Sequence, residues 1–202
     1  MEVTSAGLAG DRRYQVVDAD GNPATQRQQP RLATVQPVPI EGGLRLESEG
    51  RAPLDVAEPH ASDTTVNSLL GVPVAAADAG EEAAAWFTDV LGTSARLVAM
   101  TDDSEYRLPV PGIDMTLSWA DAAAVHLANT ASLEWLSARG AEPFGMDRFR
   151  PNLTVDGVEA WAEDTWRDVS IGAARLGYGF AWPRCAIPQT DQRTGERHRE
   201  PG

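Results

Sequence analysis

Two arginines and an asparagine recur at alternate positions in Arg148-Phe149-Arg150-Pro151-Asn152. Read as a strand over 148–156, this run puts Arg148, Arg150 and Asn152 on one face and Phe149 on the other. Guanidinium forks match phosphate and carboxylate oxygens two bonds at a time, so such a face can hold an anion. It can equally be a solvated face paired with surface acids, where ion pairs contribute little. Pro151 donates no ladder hydrogen bond, which marks the run as an edge or a bulge.

Trp182-Pro183-Arg184-Cys185-Ala186 holds the sole cysteine. A cation beside a thiol favours the thiolate, the form that ligates metal or attacks carbon. The alternative is an inert buried cysteine acting as a small hydrophobe. A Cys–His hydrolase needs a histidine partner, and His60, His126 and His198 show no recognisable local context for one. Asp11-Arg12-Arg13-Tyr14 offers further cations, or simply a surface turn entering a strand. Glu163-Asp164-Thr165-Trp166 offers paired carboxylates, a weak signal for acid–base work beside Trp161 and Trp166. Gly177-Tyr178-Gly179 lacks the third glycine and the helix of a dinucleotide loop.

The elements that must position these residues are short. Residues 12–18 read as a strand, Asp18–Asn22 as a hairpin turn and 24–28 as the returning strand. Residues 32–40 and 44–47 read as extended, split by Gly42-Gly43. Thr64 or Thr65 would cap a short helix over 66–70 that ends at Gly71. The clearest helix is 80–91, with Glu81 and Glu82 in its first turn and Gly92 as its stop. Residues 115–128 read as strand, loop and strand. Asn129 or Thr130 caps a helix over 131–138, and 169–171 with 174–182 form a hairpin near Gly172. The count is eight or more strands and three short helices, with the likeliest border between halves at 92–101. Such spacing suits closed or partly closed barrels.

The chain has 202 residues with 17 cations, all arginine, against 30 acids, for a net charge of −13. Without lysine there is no Schiff-base chemistry on pyridoxal phosphate, no P-loop and no lysine base. The acidic balance argues against nucleic acid and against anionic membrane surfaces. A single cysteine allows no internal disulfide. No apolar run approaches a membrane span, and Met1-Glu2-Val3-Thr4 does not read as a signal peptide. The expected compartment is the cytoplasm.

The ordered set of motifs resembles a known family. Gly7-Leu8-Ala9-Gly10-Asp11-Arg12-Arg13-Tyr14, Val17-Asp18 and Thr25-Gln26-Arg27-Gln28-Gln29-Pro30-Arg31-Leu32 resemble the N-terminal β-barrel domain that precedes MOSC domains. Ala120-Asp121, Ala131-Ser132-Leu133, Phe149-Arg150-Pro151-Asn152, Glu163-Asp164-Thr165-Trp166, Ile171-Gly172, Pro183-Arg184-Cys185 and Thr194-Gly195-Glu196 resemble the MOSC domain itself, the C-terminal domain of molybdenum cofactor sulfurase. Order and spacing agree with the amidoxime-reducing branch.

The resemblance implies a mainly β fold with a few short helices (α+β): a β-rich N-terminal domain over 1–95 and a barrel-like MOSC core over 96–202. It implies a molybdenum–molybdopterin cofactor with Cys185 as the protein ligand to the metal. Arg150 and Asn152 match its cofactor-contacting strand, and Arg12 a further basic contact. Asp121, Ala122 and Ala123 match a contacting loop that works mostly through backbone. Pro183 and Arg184 flank the cysteine, and Asp164 is matched to a proton donor near the substrate. Family members usually begin earlier, with a strand carrying a Lys-Ser pair, and continue past Glu200-Pro201. The chain is therefore expected to lack the first strand of one domain and the last segment of the other. The family also carries an association with pyridoxal phosphate, for which this chain offers no lysine.

The implied reaction is two-electron reduction of a small N-oxygenated substrate, such as an N-hydroxylated amidine or a hydroxylamine. No flavin, haem or iron–sulfur motif is present, so electrons must come from a separate ferredoxin- or cytochrome b5-like protein. The alternatives are a non-catalytic carrier of molybdenum cofactor or sulfur, and a structural barrel with an inert Cys185.

Overall fold

The computed structural model describes residues 2–141, 143–179 and 185–199. A short hairpin opens the chain, β1 (Val3–Thr4) with β2 (Gly7–Leu8). Four strands form an antiparallel sheet in the order β3-β9-β8-β7: β3 (Tyr14–Val17), β7 (Thr64–Asn67), β8 (Pro73–Asp78) and β9 (Arg96–Ala99). β4 (Gln36–Ile40), β5 (Gly43–Glu47) and β6 (Leu54–Ala57) form a second antiparallel sheet. Pro37 and Pro39 suit the edge position of β4, because neither can donate to a further neighbour.

Alternation decides what β5 buries. Leu44 and Leu46 point inward, while Arg45 points out to Asp55, with bonds of 2.6 and 2.7 Å. The helix α1 (Glu81–Leu91) lays Ala83, Phe87, Val90 and Leu91 on that inner face, against Leu44, Leu46, Val56 and Leu97. Its 3.6-residue period gathers these side chains on one stripe. The helix stops where Gly92 turns left-handed (φ 71°) and donates its N–H to the Thr88 carbonyl. Arg96 on β9 holds Asp78 at 2.6 Å and Glu81 at 2.8 Å, fixing the start of α1 to the sheet.

A second cluster gathers Val74, Met100, Tyr106, Leu108, Leu117 and Ala120. It anchors the irregular segment after β9, whose arms pair through Leu108 N–H to Met115 O and Leu117 N–H to Tyr106 O. In the second half, β10 (Leu127–Asn129), α2 (Thr130–Ser137) and β11 (Leu153–Val155) form a parallel β-α-β unit. β12 (Asp168–Ile171) and β13 (Ala174–Gly177) form a hairpin. The fold is mostly strand, with two α-helices and five sheets among the described residues, none closed into a barrel.

Several expectations are corrected. Residues 64–67 are a strand rather than the start of a helix over 66–70, because β8 pairs along them from Thr64↔Ala76 to Asn67↔Pro73. No returning strand forms over 24–28: after the Val17↔Pro23 bridge the chain turns into a 3-10 helix at Pro30–Thr34. The first part of the extended run expected over 32–40 is thus helical. The expected strand over 148–156 contracts to Leu153–Val155, preceded by a 3-10 turn at Met146–Arg148. The hairpin near Gly172 forms, and its expected continuation to Trp182 enters residues outside those described.

Phe87→Ala would empty the centre of the first cluster. The expected cost is about 3–5 kcal/mol. Trp86→Ala, on the partly exposed flank, should cost markedly less. Denaturant unfolding at unchanged m-value checks both.

Candidate functional site

The expected shared face of Arg148, Arg150 and Asn152 does not exist. Arg148 ends a 3-10 turn, is buried, and reaches Asp191 at 3.3 Å. Arg150 follows in the left-handed region, with φ 51°. A non-glycine residue held there marks a conformation imposed by its surroundings. Its carbonyl accepts Arg12 Nη2 at 2.9 Å, and its N–H donates to the Asp147 carbonyl at 3.2 Å. Arg12 is itself left-handed, with φ 50°.

Asp11 ties this arrangement together. One oxygen, Oδ2, accepts from Arg12 Nη1 and from Asn152 Nδ2, the latter at 2.7 Å. The other end of the Asn152 amide accepts the His126 N–H at 2.8 Å, and Asn152 N–H returns to the His126 carbonyl at 2.8 Å. Asn152 therefore spends its side chain on joining the N-terminal turn to the entry of β10. Arg150 remains solvent-accessible within a concave surface. Lost hydration lowers its pKa, and the charge of Arg12 lowers it further, while Asp121 and Asp11 oppose the shift. It stays charged at any physiological pH. The same desolvation, with Arg12 beside it, pushes the pKa of His126 down.

The loop expected to act through backbone is bound from two sides. Ala120 and Ala122 are buried, leaving Asp121 more open. Gly7 packs against this loop so closely that a Cβ there would lie 2.3 Å from the Ala124 carbonyl oxygen. Asp121 accepts Arg27 Nη2. Arg27 was not singled out in the sequence. Desolvation works against its charge, but the hydrogen bond and charge of Asp121, and then Cys185, outweigh it and raise its pKa. The second amino group, Nη1, is buried without a hydrogen-bond partner among the described residues.

Cys185 is a free, half-buried thiol just before the 3-10 turn at Ile187–Gln189. Its neighbours Pro183 and Arg184 lie outside the described residues. The segment after it straps onto the Arg27 loop. Gln26 and Gln192 exchange amide hydrogen bonds at 3.0 and 2.9 Å, and Arg197 Nη2 donates to the carbonyl of Gln26 at 3.3 Å and to that of Arg27. A cavity of about 390 Å³ opens beside these groups, lined on its polar side by Arg27, Asp121, Arg150 and Gln192. That is roughly the lower range of small-molecule sites.

Asp164 is exposed on the Ala162–Thr165 turn, and among the described residues no hydrogen bond or ion pair joins it to Cys185 or to the arginines above. Its neighbour Glu163 is a brace: it accepts Asn129 Nδ2 at 2.9 Å and Ser132 Oγ at 2.6 Å, holding the start of α2. The paired carboxylates of the sequence thus divide into one structural and one solvated group.

The structure brings together Arg12, Asp121, Arg150 and Asn152, adds Asp11, Arg27 and His126, and straps the segment that follows Cys185 onto the Arg27 loop. Their chemistry is that of three arginines set against two carboxylates, with one thiol on the adjoining segment. No group of three or more His, Cys, Asp or Glu side chains that could hold a metal occurs among the described residues. A metal here would need most of its ligands from a cofactor, and an anionic one would meet the arginines. The buried, unsatisfied Nη1 of Arg27 fits such a ligand.

Residues 1–94 match the MOSC N-terminal beta barrel domain and residues 114–201 the MOSC domain. The chain belongs to this family of MOSC-domain proteins. It is 34% identical to mitochondrial amidoxime reducing component 2 of Rattus norvegicus over 94% of this chain and 59% of that protein. It is 31% identical to the Homo sapiens component 2 over 96% of this chain and 62% of that protein. It is 28% identical to molybdenum cofactor sulfurase of Homo sapiens over 97% of this chain and 25% of that protein. The chain thus spans about six tenths of the length of the amidoxime reducing components it matches.

Asn152→Ala should destabilise the fold by about 1–3 kcal/mol, because it strips Asp11 of one donor and leaves the His126 N–H unpaired. Asn152→Asp should cost more at neutral pH, since two carboxylates then face each other. Their coupled pKa rises in the folded state, so that extra loss should shrink as pH falls toward about 4. Denaturation at several pH values checks the order and the sign.

Proposed function

We propose that this chain binds a molybdenum–pterin cofactor and, with it, reduces small N-oxygenated substrates. The observation that carries this reading is that Arg12, Arg27 and Arg150 gather about Asp11 and Asp121, with the segment that follows the lone thiol strapped onto the Arg27 loop, within a chain of net charge −13. When bound, the group would supply two-electron removal of oxygen from nitrogen, releasing water. Cys185 would hold the metal through its thiolate, a soft ligand suited to it. Arg12 and Arg150 would bind the anionic end of the pterin, and the Asp121–Ala123 loop would orient it. Asp11 and Asn152 keep both arginines in place. The amidoxime-reducing names of the relatives support the substrate class.

Two protons and two electrons are needed for each oxygen removed as water. The sequence shows no second redox centre, so a separate electron-donor protein completes the reaction in this reading. No helix among the described residues is long and apolar enough to cross a membrane. The cytoplasm is the compartment we assign, a reducing setting in which a single free thiol persists.

A second reading, a non-catalytic carrier of cofactor or sulfur, is favoured by the 28% identity to molybdenum cofactor sulfurase. Metal analysis and pterin fluorescence on the full chain, made in a host that synthesises the cofactor, separate these. The expected result is molybdenum and pterin in the wild type and their loss in Cys185→Ala. Arg150→Gln should weaken retention roughly ten-fold or more, the loss of one charged hydrogen bond. Loaded protein that reduces benzamidoxime with a chemical electron donor is the enzyme; loaded protein that does not is the carrier. Absence of molybdenum and pterin from the wild type rejects both.

A further inference from the structure

The cavity beside Arg27 and Arg150 is two-sided. Its volume of about 390 Å³ compares with about 30 Å³ for a water molecule, so it admits a small organic molecule. Val16, Leu32, Val35, Leu69 and Trp119 line it, and all are half-buried. Val16, Leu32 and Val35 pack on the first core cluster, so this wall stands without a ligand. An apolar chain laid along it would cover surface that now meets water, a favourable exchange. The other side carries Arg27, Arg150 and Asp121. Arg27 is bonded to Asp121 and Arg150 joins no ion pair among the described residues, which leaves one net positive charge. Arg27 Nη1 and Trp119 Nε1 are buried donors without a partner among the described residues. What both lack is an acceptor, which a carboxylate offers and an ammonium does not.

We infer that this cavity binds a small amphipathic carboxylate, its head group at Arg27 and Arg150 and its hydrocarbon chain along Val16, Leu32, Val35 and Leu69. A carboxylate meets a guanidinium fork two bonds at a time. Its single charge matches the one that Asp121 leaves unbalanced, whereas a phosphate dianion brings one charge too many. The site shares its polar side with the proposed cofactor contacts and adds the apolar wall. It does not depend on that reading, and Cys185 has no part in it.

Calorimetric titration of the full chain, prepared without cofactor, tests this with butanoate, hexanoate, octanoate and the neutral alcohol hexanol. Octanoate should saturate a single site. Each CH₂ added from butanoate to octanoate should tighten binding about four-fold. Hexanol should bind roughly ten-fold or more weakly than hexanoate, because it lacks the charged head group. Arg27→Gln should remove most of that preference for the acid while leaving hexanol within about two-fold of its wild-type affinity. Val35→Phe, which narrows the apolar wall, should flatten the dependence on chain length. Absence of saturable octanoate binding overturns the inference. So does a series that is flat in chain length, equal affinity for acid and alcohol, or a folded Arg27→Gln protein that keeps the preference. Should Arg27→Gln fail to fold by circular dichroism, the wild-type series and the acid–alcohol comparison decide. Octanoate bound by a chain that never acquires molybdenum rejects the proposed function alone. A chain that acquires molybdenum, but whose cofactor-free form ignores octanoate, rejects this inference alone.

Discussion

One carboxylate oxygen, Asp11 Oδ2, holds two segments that are distant in sequence to one geometry. It accepts from Arg12, beside it, and from Asn152, 141 residues away. Through Arg12 it governs the Arg150 carbonyl, and through Asn152 it governs the backbone at His126. Both arginines sit at positive φ, which costs of order 1–3 kcal/mol each in a non-glycine residue. That cost is offset only while the bonds around Asp11 persist. The sheet β3-β9-β8-β7 supplies the platform: Arg13 donates to the Met100 and Thr101 carbonyls, and the Arg12 carbonyl takes the Trp119 N–H. The turn at Asp11 is thereby fixed to the end of β9 and to the loop that carries Asp121.

The electrostatic consequence follows from the contrast with the rest of the molecule. Several arginines of the N-terminal sheets and their loops are spent on carboxylates, as in Arg45–Asp55, Arg51–Asp89 and Arg96–Asp78. Those pairs are exposed or half-exposed and contribute little to stability individually. Around the cavity the pattern changes. Among the described residues Arg150 joins no ion pair, and Arg27 uses only part of its fork on Asp121. Within an acidic protein, Arg27 and Arg150 thus outnumber the carboxylate of Asp121 there, a local field that would favour an anion whatever the net charge.

Much of this was legible in the sequence. The helix over Glu81–Leu91 follows from its apolar stripe and the glycine stop, and the cap at Asn129 is observed, its side chain accepting the Ala131 N–H. The family was legible through ordered motifs, which named Arg12, Asp121, Arg150, Asn152 and Cys185 before any geometry. The path through 148–152 was not legible. Alternating polar residues next to a proline look alike in a strand and in a turn, and left-handed arginines carry no compositional signal. The conformation is held by long-range partners, Arg12 at the Arg150 carbonyl and Asp11 and His126 at Asn152. Residues 64–67 were misread for a related reason. Asn-Ser-Leu-Leu-Gly resembles a helix ending, but pairing with β8 overrides local preference. Arg27 lies inside a family motif, but the sequence does not show that Asp121 and the segment after Cys185 converge on it.

If Cys185 is the protein's ligand to molybdenum, in a site completed by both halves of the chain, X-ray absorption at the molybdenum edge of the loaded protein will show it. Sulfur scattering from the pterin dithiolene plus one further protein sulfur is expected, with that extra sulfur absent from any metal retained by Cys185→Ser. A wild-type spectrum showing only the dithiolene sulfurs, unchanged in Cys185→Ser, would contradict it.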